Sequence, residues 1–296
     1  MIHRLETESG DNGLRLDQLL QNRIPELSRT KIRKIIDLGG VHIAGRRARK
    51  CGLEVSANQQ IELHLDQGLL DPYRICQEDI LFQDDYLLVL NKPAGVETQP
   101  TKARYKGTLY EALQIWLKRD RRFGRKLEIG MVQRLDRDTS GVIVFSIHPR
   151  SHKGVSQQIH DRTAQKTYLA LVKGAPSPPE GVYHSLLARE RRGYRVISVQ
   201  KGGKEAITEY RTRQSSKGAS LVEVRLVTGR MHQIRAHFSE NGHPLLGDAR
   251  YGGPVHFAGR DYHRQCLHSW KLGLNHPISR QPLLFTAAVP ADMGTG

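Results

Sequence analysis

Asp136 lies in the stretch QRLDRDTSGV (residues 133–142), two residues after Arg134 and directly before Arg137. Two cationic neighbours keep a carboxylate ionised near neutral pH. An ionised carboxylate there could attack as a nucleophile, take a proton as a base, help dock RNA, or simply accept the N–H groups of a tight turn. A second concentration of polar chemistry is TGRMHQIRAHFSENGHPLLGDARYGG (228–253). Its pattern predicts a helix in which Arg230, His232, Gln233, Arg235 and His237 fall within about two turns, with His232 and Arg235 on one face. Gly229 and Arg230, near the start of that helix, suit a phosphate. The plainer alternative is a polar helix face. His237 and His243 have no evident third ligand, so no metal site is expected.

Elements around these clusters must hold them in place. Before Asp136 comes the run MV and overlapping it comes VIVFS, which predicts a turn between two strands. TYLALVKG, YRVISV and ITEYRTR read as strands, with KGG as a hairpin turn. GTLYEALQIWLKR reads as an amphipathic helix, and the helix carrying Arg235 should stop at Gly242. Many strands without regular βα alternation predict an α+β fold.

The N-terminal part reads as a unit of its own. LRLDQLLQN has helical spacing, and Ser28 is placed to cap RTKIRKIIDLGG, which Gly39 should end. VHIAG and QQIELHL follow as strands. The expected organisation is a small domain over 1–66, a linker over 67–74 around DQGLLDPY (66–73), and the main domain over 75–296. From Arg29 to Lys50 there are eight basic residues and one acid, Asp37. Arg29, Lys31, Arg33 and Lys34 open one helix, and Arg46 and Arg47 fall in the loop that follows. Together they could present a phosphate-binding surface or simply a solvated face.

Composition supports the first option. With 46 Lys and Arg against 30 Asp and Glu, the net charge is +16, and a polyanion is the expected partner. Aromatic residues make up only 6%, which favours a structured RNA over a stacking-rich single strand. The basic run from Lys102 to Lys126 adds a possible RNA contact. No apolar run reaches the roughly 18 residues of a spanning helix, so no membrane partner is expected. Three scattered cysteines and no signal-like N-terminus fit a cytoplasmic protein. GxGxxG, Walker A, HExxH and CxxC sequences are missing, so no cofactor is expected.

The N-terminal stretch RLDQLL…LSRTKIRKIIDLGGVHIAGRRARK resembles the small RNA-binding domain first known from ribosomal protein S-four. Residues 80–285 resemble the pseudouridine synthases of the RluA family. The resemblance runs through LNKPAGVETQP, RLDRDTSGV, AQKTYLALVKG, GGKEAITEY, TGRMHQIRAHFSENGHPLLGDARYG and RQCLHSWKLGLNHP, in the family's order. It implies the pseudouridine synthase fold, a mixed and mostly antiparallel sheet with flanking helices, preceded by the small α/β RNA-binding domain. It also implies isomerisation of uridine to pseudouridine in RNA, with no cofactor or metal.

By the same resemblance Asp136 matches the essential aspartate that acts on the ribose, and Arg235 the arginine paired with it. Tyr168 matches the tyrosine that stacks on the uracil, and Arg134 the arginine that helps flip the target nucleotide. Leu267 or Leu272 would wall the base. Arg230, His232 and Gln233 join Arg134 and the N-terminal basic residues as expected RNA contacts. The chain departs from the family at Gln133 and Gln99, where histidine is usual, and glutamine cannot titrate near neutral pH. Competing readings are a non-catalytic RNA-binding protein of ribosome assembly and a base-excising glycosylase. The N-terminal domain points to large-subunit rRNA ahead of tRNA as substrate, and a monomer is expected.

Overall fold

The computed structural model describes residues 2–65, 71–120, 128–191 and 195–294. The chain divides into two compact units, Met1–Ile75 with Gly95–Arg121, and Cys76–Ala94 with Arg122–Gly296. Residues 67–70, half of the expected linker, and residues 121–126 of the basic run from Lys102 to Lys126 lie outside the described residues.

In the first unit, β1 (Ile2–Glu6), α1 (Leu16–Arg23), α2 (Arg29–Leu38), β2 (Val41–Ile43), β3 (Arg46–Arg47) and β4 (Gln60–His64) follow in order. The strands form a sheet of order β1-β4-β2-β3. Leu16, Leu19 and Leu20 of α1 and Ile32, Ile35 and Ile36 of α2 share one buried core with Val41, Ile61 and Leu63. Ser28 caps α2 by accepting the Lys31 N–H, and Gly39 ends it in the left-handed region at φ 85°. Residues beyond 95 join this unit, with Tyr105 and Lys106 donating backbone N–H bonds to the Leu38 carbonyl at the end of α2.

The second unit holds β5 (Ile80–Gln83) and β6 (Leu87–Lys92), while α3 (Leu109–Lys118) belongs to the first. It continues with β7 (Ser140–Ser146), α4 (Pro149–His160), β8 (Gln165–Lys173), β9 (Glu180–Arg189), β10 (Val196–Val199), β11 (Lys204–Ser216) and β12 (Ala219–Leu226). Then come α5 (Gln233–Glu240), the short pair β13 (His256–Phe257) and β14 (Arg260–Asp261), β15 (Leu267–Asn275) and β16 (Pro282–Thr286). Among the described residues one sheet runs β10-β9-β11-β12-β8-β15-β7-β6-β5, with β16 paired to β15. The fold is α+β as expected, and its sheet is antiparallel except where β7 meets β15 in parallel.

That parallel contact positions the Asp136 turn. Gly141 faces Ser269 across it at φ 112°, and a Cβ there would come within 2.1 Å of the Ser269 carbonyl oxygen. Only glycine allows the approach. Val142 and Val144 pack into a core with Leu87, Val89, Val155 and Leu272, which explains why β6 and β7 read as continuous apolar runs. α4 was not foreseen, because Val155 and Ile159 are its only large apolar residues, although Pro149 at its first turn is a start signal.

Two buried histidines make this unit sensitive to acid. His237 bonds Thr208 and Ser185, His268 bonds Ser140, and burial pushes both pKa values down to about 4. An unfolded histidine titrates near ~6.5, so between about pH 6.5 and 4 the unfolded chain binds more protons. Stability should be complete above that window and decline as pH falls through it, by up to roughly 1.4 kcal/mol per pH unit for each histidine. Urea unfolding at a series of pH values from about 7 to 5 checks this. A constant midpoint would contradict it.

Candidate active site

Arg235 sits in the first turn of α5 with 6% of its side chain exposed. Its Nε and one terminal nitrogen donate to the two oxygens of Asp248 at 2.6 and 2.8 Å, and the other donates to Oδ2 of Asp136 at 2.9 Å. The Tyr251 ring lies beneath the guanidinium, 4.8 Å from ring centre to Cζ. Burial opposes the charge on Arg235, but Asp248 and then Asp136 outweigh it and push its pKa up. Asp248 is 1% exposed and Asp136 27%. The fork therefore joins an enclosed carboxylate to one that solvent and a ligand can reach.

The turn that carries Asp136 is braced from below. Lys92 is fully buried, and its ammonium donates to the carbonyls of Pro93 and Arg137. Arg264 donates to the Asp138, Gln265 and Leu267 carbonyls and forks onto Asp292. Thr139 N–H closes the turn on the Asp136 carbonyl at 3.1 Å. Backbone carbonyls in such a turn need buried donors, and these two cations supply them. Gly247, at φ 76°, lets the Asp248 loop reach within contact of the Arg264 carbonyl, where a Cβ would clash at 1.9 Å.

His232 approaches the same carboxylate from the residue before α5. It adopts left-handed backbone (φ 53°), and its Nε2 lies 3.7 Å from Asp136 Oδ2. On the other side, Nδ1 lies 2.9 Å from the Tyr251 hydroxyl, which itself accepts the Val196 N–H at 2.7 Å. Burial raises the Tyr251 pKa, so that hydroxyl keeps its hydrogen. Among the described residues only His232 Nδ1 is placed to accept it, which leaves Nε2 the protonated nitrogen facing Asp136. Burial also lowers the His232 pKa, ahead of the opposing effect of Asp136, so the ring is neutral at pH 7. Arg235 and His232 both address Oδ2, and Oδ1 has no hydrogen-bond partner among the described residues. Oδ1 is the oxygen available for chemistry.

Tyr168 lies on β8 opposite Ser269 and Val224, 7% exposed. Burial and then the negative charge of Asp136 raise its pKa, against a contact from Ser269, to about 12. It is a neutral phenol at any ordinary pH. Arg134 is exposed and makes no ion pair among the described residues, so its guanidinium is free to meet a ligand. Asp136, Arg235 and Tyr168 thus come together from three distant stretches of sequence.

Other expected contacts need correcting. Gln233 is buried, and its amide bonds Thr228, Thr208, the Ile207 carbonyl and the Arg230 N–H. It anchors the start of α5 and offers nothing to RNA. Arg230 and His232 precede that helix, which begins at Gln233, and Arg230 donates its Nε to the Glu205 carbonyl. Leu272 packs in the sheet core, so it cannot wall a base, while Leu267 is buried at the start of β15.

In the N-terminal unit, Lys31 and Arg46 are exposed. Lys34 pairs with Asp71 at 2.8 Å. Arg47 is held inward, donating to the Gly39 and Thr101 carbonyls under Tyr105. Arg29 and Arg33 share the completely buried Asp17 with Arg15. Burial opposes ionisation of Asp17, yet hydrogen bonds from Arg15, Arg33 and Arg29 hold its pKa far below the usual carboxylate range. Three guanidiniums, each about half exposed, are thereby fixed together with net charge +2.

Asp248, Tyr251, Lys92 and Asp17 were not singled out from the sequence. Asp248 and Tyr251 stand in the quoted GDARYGG and Lys92 in LNKPAG, but type and spacing alone give no sign of burial.

Comparison with known proteins gives the family of the chain. Residues 86–240 match the RNA pseudouridylate synthase family, and residues 14–61 match the S4 domain. Over 293 residues the chain is 36% identical to ribosomal large subunit pseudouridine synthase D of Zymomonas mobilis, covering 95% of this chain and 92% of that protein. It is 38% identical over 217 residues to the uncharacterised RNA pseudouridine synthase YhcT of Bacillus subtilis, covering 73% of this chain and 70% of that one. The solved structure of human RNA pseudouridylate synthase domain containing 4 superposes with a TM-score of 0.60 at 26% identity, covering 72% of this chain and 89% of that chain.

The burial difference across the fork sets an asymmetry in stability. Asp248→Ala leaves a buried guanidinium without its main partner and should cost about 3–5 kcal/mol. Asp136→Ala, at the more exposed end, should cost under about 1.5 kcal/mol. Denaturant unfolding of both variants measures the difference, and equal losses would contradict the assignment of Asp248 as the structural end.

Proposed function

The chain belongs to the RNA pseudouridylate synthase family, and from that premise we propose that Asp136 performs the isomerisation on uridines of large-subunit ribosomal RNA. The observation that carries this reading is the Asp248–Arg235–Asp136 fork, which holds one carboxylate oriented and within reach of a ligand. The reaction breaks the bond between ribose C1′ and uracil N1, turns the base, and joins C1′ to C5, which gives up its proton while N1 takes one up. Asp136 acts on the ribose through Oδ1 while Arg235 stabilises its charge. Tyr168 meets the freed uracil as a neutral phenol, able to stack and to donate a hydrogen bond. Arg134 takes the phosphate or the space left by the flipped nucleotide, whose unstacking costs a few kcal/mol.

The choice of ribosomal over transfer RNA rests on the N-terminal unit and on relatives that carry the ribosomal name across nearly their whole length. The Asp17 arginine cluster, with Lys31 and Arg46, gives that unit a fixed positive surface for RNA phosphates. We place the protein in the cytoplasm, where its three free cysteines stay reduced, and expect it to act as a monomer.

Transcripts of large-subunit rRNA and of tRNA carrying tritium at uridine C5 test the reading. Tritium should be released from the ribosomal transcript alone, and Asp136→Asn should reduce release to background. Release from tRNA alone would move the substrate. Free uracil with an abasic RNA product would mean glycosylase chemistry.

A further inference from the structure

Lys166 stands two residues before Tyr168 on β8, and its side chain is 8% exposed together with its backbone. Among the described residues its ammonium has no hydrogen bond and no ion pair. It lies beside Gly229, where an added Cβ would meet Nζ at 3.4 Å. Burial and then the like charges of Arg162 and Arg230 lower its pKa. The single carboxylate in this group is Glu205, which pairs with Arg162 at 3.0 Å and with His184 at 3.4 Å. Arg230 holds only the Glu205 carbonyl. Three cations against one acid leave the group two positive charges in excess.

An enclosed lysine without a partner destabilises a free protein, and two neighbouring arginines add to the penalty. Such an arrangement is stabilised when an anion arrives. Alternation along the strand puts Lys166 on the same face as Tyr168, about 6.7 Å along the chain. We propose that Lys166, Arg230 and Arg162 form a site for an RNA backbone phosphate next to the target uridine, with Lys166 as its inner ligand. This rests on the uridine-isomerase reading and adds a contact that fixes the substrate strand while the base is turned out.

The site has a signature that a structural lysine lacks. Lys166→Met keeps the length of the side chain and removes its charge. In the full-length protein this variant should be as stable as wild type or more so. Its affinity for the ribosomal transcript should fall, and the slope of log affinity against log salt should lessen by about one phosphate contact. Lys166→Arg should restore the slope. An unchanged slope in Lys166→Met overturns the proposal, and so does a loss of stability, which would mean that the protein's own groups hold the ammonium. Pseudouridine formation by wild type on the same transcript, measured alongside, separates a failure of the functional reading from a failure of this site.

Discussion

Everything in the catalytic unit turns on one buried guanidinium with two carboxylates. Arg235 could not be enclosed alone, because an unpaired charge in the interior costs several kcal/mol. Asp248 makes the enclosure possible by taking two of its donors. The third donor then points at Asp136 with little freedom left to do otherwise. The asymmetry of burial gives the pair its direction: the inner carboxylate is structural and the outer one is available to a substrate.

The surrounding fold serves that geometry. α5 is pinned at its start by Gln233, which ties it to β11 through Ile207 and Thr208. The Asp136 turn leaves β7 where Gly141 lets it close on β15, and Lys92 and Arg264 satisfy the carbonyls that the turn leaves open. The helix and the Asp248 loop are neighbours in sequence, but the Asp136 turn lies 99 residues before Arg235, so their meeting depends on the sheet between them. The N-terminal unit repeats the same physical device in reverse, with a buried carboxylate gathering three arginines.

The sequence made some of this legible and hid the rest for definite reasons. Helix α2 was readable because Ser28, the isoleucine face and Gly39 are local signals that agree. The meeting of Asp136, Tyr168 and Arg235 was readable because their motifs occur in order. Asp248 was not, because a carboxylate in a glycine-rich loop looks like any turn former until its burial is known. Gln233 was misread for a related reason: its polar side chain sits in a basic motif, yet every donor and acceptor it has is used internally. Leu272 failed as a base wall because it is used up in the core with Leu87, Val142 and Val144, which its type and spacing do not reveal. Burial and partner identity are tertiary properties, and local pattern carries them only where the period of the element is strong.

The central claim is that Asp248, Arg235 and Asp136 act as one unit in the chemical step. Single-turnover rates on the ribosomal transcript for Arg235→Met, Asp248→Asn and the double variant test it most directly. If Asp248 works only through Arg235, the double variant should be no slower than Arg235→Met alone. Losses that multiply in the double variant would show two independent contributions and contradict the account.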